Sequence, residues 1–247
     1  KTEIIFKSDI ESNPTIQGRA GGVMGEVYAS MFTGIDLKNI SITGSGILNG
    51  NGKPWWIAKE KLSKRLKELE ITGRSTKFPE GVSLKYARPK VINFIRCRNI
   101  LLQDLTIKNS PSWTVHPCFC ENVEIDNVSI TAPYESPNTD GIDPDSCNDV
   151  RILNCNIDCG DDCVAIKSGY EKDGRKVNVP CQNVLIRNCS FRNGRAAVAI
   201  GSETAAGVKN VLIENCTCKG TFRGLRIKTK RGRGGTVENI LAKDISM

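Results

Sequence analysis

Three aspartates have the type and placement to do chemistry together. Asp140 lies in NTDGIDPDS, which starts at Asn138, and Asp161 and Asp162 lie in GDDCVAIKS, which starts at Gly160. Two later segments, GRAAVAIGS from Gly194 and FRGLRIKT from Phe222, fit the same local pattern. Each follows a recurring Asn or Asp anchor. Asp162 is 13 residues after Asp149, Ala196 is 13 after Asn183, and Arg223 is 13 after Asn210. Asp140 is 18 after Asn122, and a five-residue insertion near TAPYESP accounts for the difference. Aligned this way, Asp140 stacks on Asp162 with Asp161 beside it. Like charges a few ångströms apart raise at least one pKa. A purely structural sheet avoids such a cluster or neutralises it with calcium. A glycosidase uses it, with one protonated acid for the leaving oxygen and one carboxylate to activate water. Two repeats further on, Arg226 and Lys228 alternate outward on one strand, and Lys167 shares the column of Lys228. A cationic patch beside an acidic cluster suits a substrate with carboxylates and a glycosidic bond. One conflict stands: strict alternation from Ile142 and Val164 points Asp140 and Asp162 inward. A turn near Gly160, and another in the run from Asn138 to Gly141, must re-aim them.

The elements that position these residues come from a repeat. Its anchors are Asn39, Asn99, Asn122, Asp149, Asn183, Asn210 and Asn239, separated by 60, 23, 27, 34, 27 and 29 residues. The first interval is expected to hold two turns of repeat plus an insertion. Within a unit, Val150, Ile152, Cys155 and Ile157 sit one, three, six and eight residues after the anchor, and Val184, Ile186, Cys189 and Phe191 repeat this. Period two, a parity break and period two again give two short strands meeting at a corner. Such a unit cannot bury its own inner face, so the expected fold is a parallel β-solenoid of stacked coils. The anchor tolerates left-handed backbone, and its amide can bond the next coil. One segment departs from the pattern. WWIAKEKLSKRLKELE, from Trp55, places Ile57, Leu62, Leu66 and Leu69 at roughly helical spacing and reads as a surface helix inserted in a long loop.

Composition narrows the function classes. The 247 residues are 39% hydrophobic, enough for a real core. No stretch of about 18 apolar residues occurs, so no membrane span is expected. The first residue is Lys1 with no charged-then-apolar leader behind it, so a signal segment is read as absent or already removed. The formal charge of +8 favours an acidic partner. Nucleic acid is disfavoured because the basic residues are scattered and no stacking platform interleaves them. The 11 cysteines are odd in number and fall in columns. Cys97, Cys120, Cys147 and Cys181 precede anchors by two residues, and Cys155, Cys189 and Cys216 follow by six, as buried small hydrophobes would. Disulfides between adjacent coils stay open. A metal site is not expected, with no CxxC pair and one histidine, His116, read as a packed or turn residue.

NTDGIDPDS, GDDCVAIKSG and RGLRIKT, in this order and spacing, resemble the polygalacturonase family of glycoside hydrolases (family 28), which cut pectin, and in particular its bacterial exo-acting subgroup. ITGSGILNGNGKPWW and NSPSWTVHP also resemble that family, and the similarity runs from about Ile35 to Met247. The resemblance implies an all-β, right-handed, single-stranded parallel β-helix of about eight coils with one short inserted helix. It is read as one domain over residues 1–247, with truncation at both ends left open. It implies inverting hydrolysis of α-linked galacturonan without a cofactor, by a secreted or periplasmic protein whose partner is an acidic polysaccharide. Residue by residue, it makes Asp161 the general acid and has Asp140 and Asp162 activate the water. Arg226 and Lys228 would bind the substrate carboxylate, and Asn138 would hold the cluster or touch sugar. The family's third motif is Gly-His-Gly, whereas Gly194-Arg195-Ala196-Ala197 stands here. Arg195 cannot shuttle a proton near neutral pH; it would bind a substrate carboxylate or hold Asp161 ionised. Two other readings therefore stay open: a catalytically impaired relative that binds acidic polysaccharide, and a structural or engineered solenoid.

Overall fold

The computed structural model describes residues 2–68 and 88–247, apart from the side chains of 65–68. The repeats stack as a parallel β-helix with three sheet faces. On the first face, Lys38–Thr43, Arg98–Gln103, Glu121–Asp126, Asn148–Leu153, Cys181–Arg187, the start of Val208–Lys219 and the start of Val237–Ser246 pair in that order, all parallel. Ile100, Val123, Val150, Val184 and Val211 are in register, so one β-branched column fills one stripe of the core. Each such side chain gains about 1.5–3 kcal/mol on burial, and only stacking provides that burial. The second face runs from Glu3–Ile5 through Ile47–Asn49, Thr106–Lys108, Ser129–Thr131, Asn156–Asp158 and Ser190–Arg192. The third runs through Phe32–Ile35, Ile92–Ile95, Val115–Cys118, the segment from Ile142 to Asp145, Val164–Ile166, Val198–Gly201 and Leu225–Lys228. This last face carries the aspartates.

All seven anchors sit in the left-handed region, with φ between 54° and 58°. Asn99 Nδ2 donates to Asn39 Oδ1 at 2.8 Å, Asn122 to Asn99 at 3.0 Å, Asn210 to Asn183 at 3.0 Å and Asn239 to Asn210 at 3.0 Å. Asp149 lacks an amide, and there Asn183 donates to Asn148 instead, at 2.9 Å. The parity break has the same cause. Five residues past the anchor, Asp104, Asn127, Asn154, Asn188, Asn215 and Asp244 are also left-handed, forming a second corner. Asn183→Ala is expected to cost about 1–2 kcal/mol through left-handed backbone alone. Asn183→Gly should recover most of that in a thermal or denaturant melt.

The first interval differs from expectation. Asn99 bonds Asn39 directly, and Lys38 pairs with Arg98, so the 60 residues form one coil with an insertion rather than two turns. The inserted helix α1 spans Lys53–Glu68. It docks through Trp55, which is buried with its ring centroid 5.2 Å from that of Tyr28, and Trp56 Nε1 donates to the Ser110 carbonyl. Ile57 is exposed, and Leu66 and Leu69 lie outside the described side chains. Two features had no counterpart in the sequence reading. Thr15–Ala20 and Val23–Tyr28 form an antiparallel hairpin around Gly21 and Gly22, both at positive φ as a tight turn requires. A second helix, α2, spans Glu171–Val177. The hairpin is held by Arg19, which is fully buried and donates to Asp145 Oδ1 at 2.9 Å. All 11 cysteines are free and buried, so the columns are core filler rather than staples between coils. Among the described residues, no helix is long and apolar enough to cross a membrane.

Candidate active site

Ile142 bridges Val164, and Gly141 N–H donates to the Asp162 carbonyl, so Asp140 and Asp162 occupy adjacent rungs. The inward alternation is broken where the chain bends at Gly160 and Asp161 and where Asn138 turns left-handed, at φ 53°. Two glycines permit the approach. A Cβ on Gly160 would fall 2.3 Å from the Ser136 carbonyl oxygen, and one on Gly141 would fall 2.4 Å from that of Cys163. One carboxylate oxygen from each of Asp140, Asp161 and Asp162 lies within 4.8 Å of the other two. Asp140 and Asp162 are buried and Asp161 is half-buried.

Cations surround the trio. Lys228 Nζ donates to Asp162 Oδ2, from two coils along the stack. Arg226 extends the column of Ala165 and Ala199, and those alanines with Ala196 form a small buried floor beneath it. Arg195 Nε stands 3.7 Å from Asp161 Oδ2, on a mostly exposed side chain. Lys167, read from the sequence as a substrate-binding cation, is instead buried and already paired. Its Nζ lies 3.5 Å from Asp143 and 3.4 Å from Glu203, and 4.5 Å from the Trp113 ring centroid. Asn138 donates through Nδ2 to Asp161 Oδ2 at 3.4 Å, while its Oδ1 accepts from Lys59 and Arg88.

Burial, with the negative charge of Asp161 next, pushes Asp140 up to about 8. Burial and then Asp162 raise Asp161 as well, against the lowering effects of Arg195, Lys228 and Lys167. Arg195 therefore does not hold Asp161 below the ordinary carboxylate range. A raised carboxyl binds its proton more tightly folded than unfolded. Asp140 thus favours folding in acid, and that advantage fades as pH rises from about 4 towards about 8. Asp140→Asn should flatten this slope, raising the melting temperature by several degrees at pH 7.5 and much less at pH 4.5.

Among the described residues, two groups have the donor types for a metal. One is the aspartate trio, where Lys228 and Lys167 already supply positive charge. The other is buried His116, Cys118 and Asp145, where Arg19 already bonds Asp145. Burial pulls His116 down to about 4, so it is neutral and packed, its ring edge-on to Trp113. A groove of about 530 Å³ between α1 and the 133–137 loop leads to Lys59. Another, of about 640 Å³ around Met24, Phe119 and Val179, holds none of the three aspartates.

The sequence reading did not assign Lys59, Arg88, Asp143 or Glu203. Asp143 was legible, since it stands three residues after Asp140 in the outward column that continues through Ala165 to Arg226. Lys59 follows buried Trp55 by one helical turn and shares its face. Arg88 and Glu203 carry no comparable signal.

The fold and this cluster have known counterparts. A family model described as "Glycosyl hydrolases family 28" matches residues 10–247. A "Probable polygalacturonase" from Vitis vinifera is 36% identical over 251 residues, covering 99% of this chain and 47% of that protein. An exopolygalacturonase structure from Thermotoga maritima aligns with a TM-score of 0.83 at 34% identity, over 99% of this chain and 62% of that one. The polygalacturonase structure from Erwinia carotovora ssp. carotovora gives 0.74 at 26% identity, over 98% and 62%. The chain thus spans about half the length of the plant relative and under two thirds of these two structures. With the family model matched almost from end to end and the fold shared with these right-handed β-helices, the chain belongs to glycosyl hydrolases family 28.

Proposed function

We propose that this chain carries the hydrolytic site of a polygalacturonase that cleaves α-linked galacturonan with inversion. One observation carries the reading: one oxygen from each of three carboxylates lies within 4.8 Å of the other two, and Lys228 and Arg195 stand against them, with Arg226 on the same sheet face. Asp161, the half-buried member, gives its proton to the glycosidic oxygen as the C–O bond breaks. Asp140 and Asp162 hold the attacking water, and its proton passes to that pair. Arg226 and Arg195 receive the carboxylates of the sugar rings. Lys167 balances charge from below, paired with Asp143 and Glu203. Pectin is met at the plant cell wall, so action outside the producing cell is part of the same proposal.

A specific observation favours a second stereochemistry. Inverting pairs usually stand about 6.5–9.5 Å apart and retaining pairs about 5–5.5 Å. One oxygen of each carboxylate here lies within 4.8 Å of the others, closer than an inverting pair usually stands. The inverting reading treats Asp140 and Asp162 as one clamp for a water, so a two-carboxylate rule does not apply directly. The function is tested by incubating the protein with polygalacturonate and, in parallel, with neutral galactan, and measuring new reducing ends. Release from the acidic polymer alone is expected. Equal release from both, or none from either, contradicts the proposal.

A further inference from the structure

Helix α1 lies outside the repeat, yet it reaches the carboxylates. Lys59 Nζ donates to Asn138 Oδ1. Arg88 Nη2 donates to the same oxygen at 2.8 Å, while its Nη1 donates to the carbonyls of Pro137 at 2.7 Å and Pro111 at 2.8 Å. Ammonium and guanidinium groups can only donate, so they accept just one orientation of the Asn138 amide. With Oδ1 held, Nδ2 points at Asp161 Oδ2. The flipped amide would set its NH₂ against two cations and its carbonyl oxygen against a carboxylate. Arg88 is buried and fixed by two backbone carbonyls. Lys59 is half-buried on α1 and completes the clamp from the other side.

We propose that Lys59 is a positioning residue for Asp161, acting through Asn138: the insertion outside the repeat fixes the amide that orients the acid. This rests on the hydrolase reading above. The charged groups facing Lys59 are Arg88, Asp161, Asp140 and Arg195. Lys59 is therefore one of several cations that favour the ionised form of Asp161. Removing it leaves Arg88 alone to hold the amide, which loosens its aim at Asp161, and lets Asp161 keep its proton to higher pH.

The test compares wild type, Lys59→Met and Lys59→Arg on oligogalacturonate across pH. Lys59→Met should lower kcat by about 10–100-fold, the scale of a misplaced reacting group. KM should stay within about threefold, in line with a loss expressed in the chemical step. The alkaline limb of the profile should move to higher pH, and Lys59→Arg should recover most of kcat. An unchanged kcat and limb would overturn the inference, as would a loss confined to KM, which would make Lys59 a substrate contact. A second readout does not need turnover. The Asn138 side-chain amide signal in nitrogen-15 NMR should respond to Asp161→Asn more strongly in the wild-type background than in Lys59→Met. Equal responses in both backgrounds would overturn the inference even if polygalacturonate is not cleaved, an outcome that by itself contradicts only the hydrolase reading.

Discussion

Asp161→Asn is expected to lower kcat on polygalacturonate by about 10²–10⁴-fold, the usual contribution of a general acid, with KM little changed. Asn keeps the size and much of the hydrogen bonding of Asp but has no proton to give. Of the three clustered carboxylates, Asp161 alone is half-buried rather than buried, which is why it is the one proposed to meet the leaving oxygen. Burial and the neighbouring Asp162 raise it, so it stays protonated to higher pH than a free carboxyl. Asp140, beside it, is pushed up to about 8. The wild-type profile should therefore fall on the alkaline side as Asp161 gives up its proton. Asp161→Asn should be nearly inactive at every pH while its circular dichroism and melting temperature stay close to wild type. Activity within about tenfold of wild type would remove Asp161 from the acid role.

Lys228→Met is expected to damage both stability and activity. Lys228 is the cation in contact with Asp162, whose side chain is 0% exposed. Truncating one partner of a buried pair leaves the other charge without compensation, at about 3–5 kcal/mol. Here the upper half of that range is reduced, because the Lys228 side chain is 20% exposed and water can reach the vacated place. The expected drop in melting temperature is several degrees, with a loss of rate of about 100-fold or more. The double variant Asp162→Asn with Lys228→Met separates the two effects. It should regain most of the melting temperature, because no buried charge is left unpaired, and none of the activity. Full recovery of stability together with activity would show that neither residue takes part in the chemistry.

Much of the fold was legible because a solenoid writes its geometry into spacing. Thirteen residues from anchor to strand put Asp162, Ala196 and Arg223 in one column, and the five extra residues before Asp140 form the loop that packs on Gly160. The left-handed anchors followed from residue type, since few side chains other than Asn and Asp accept that backbone. What the spacing could not carry lies off the repeat. The 60-residue interval looked like two coils because an insertion has no period of its own, and only the pairing of Lys38 with Arg98 counts it as one. The hairpin over Asp145 is antiparallel and belongs to no coil. Lys59 sits on a helix whose periodicity shows which residues share a face but not what that face meets. Lys167 was placed in the right column, yet column position alone does not reveal Asp143 and Glu203 closing around it. Charge partners contributed by separate loops are three-dimensional facts, and they decide whether a cation faces substrate or balances the interior.

In the proposed reaction, the aspartate trio delivers water to the face of the sugar opposite the leaving group. Proton NMR of polygalacturonate during the first minutes of digestion measures this directly, before the newly formed ends mutarotate. The new reducing ends are expected to appear first as the β-anomer and relax to the equilibrium mixture. New ends that appear first as the α-anomer would contradict the proposed reaction, and would make one of these closely spaced carboxylates a covalent nucleophile.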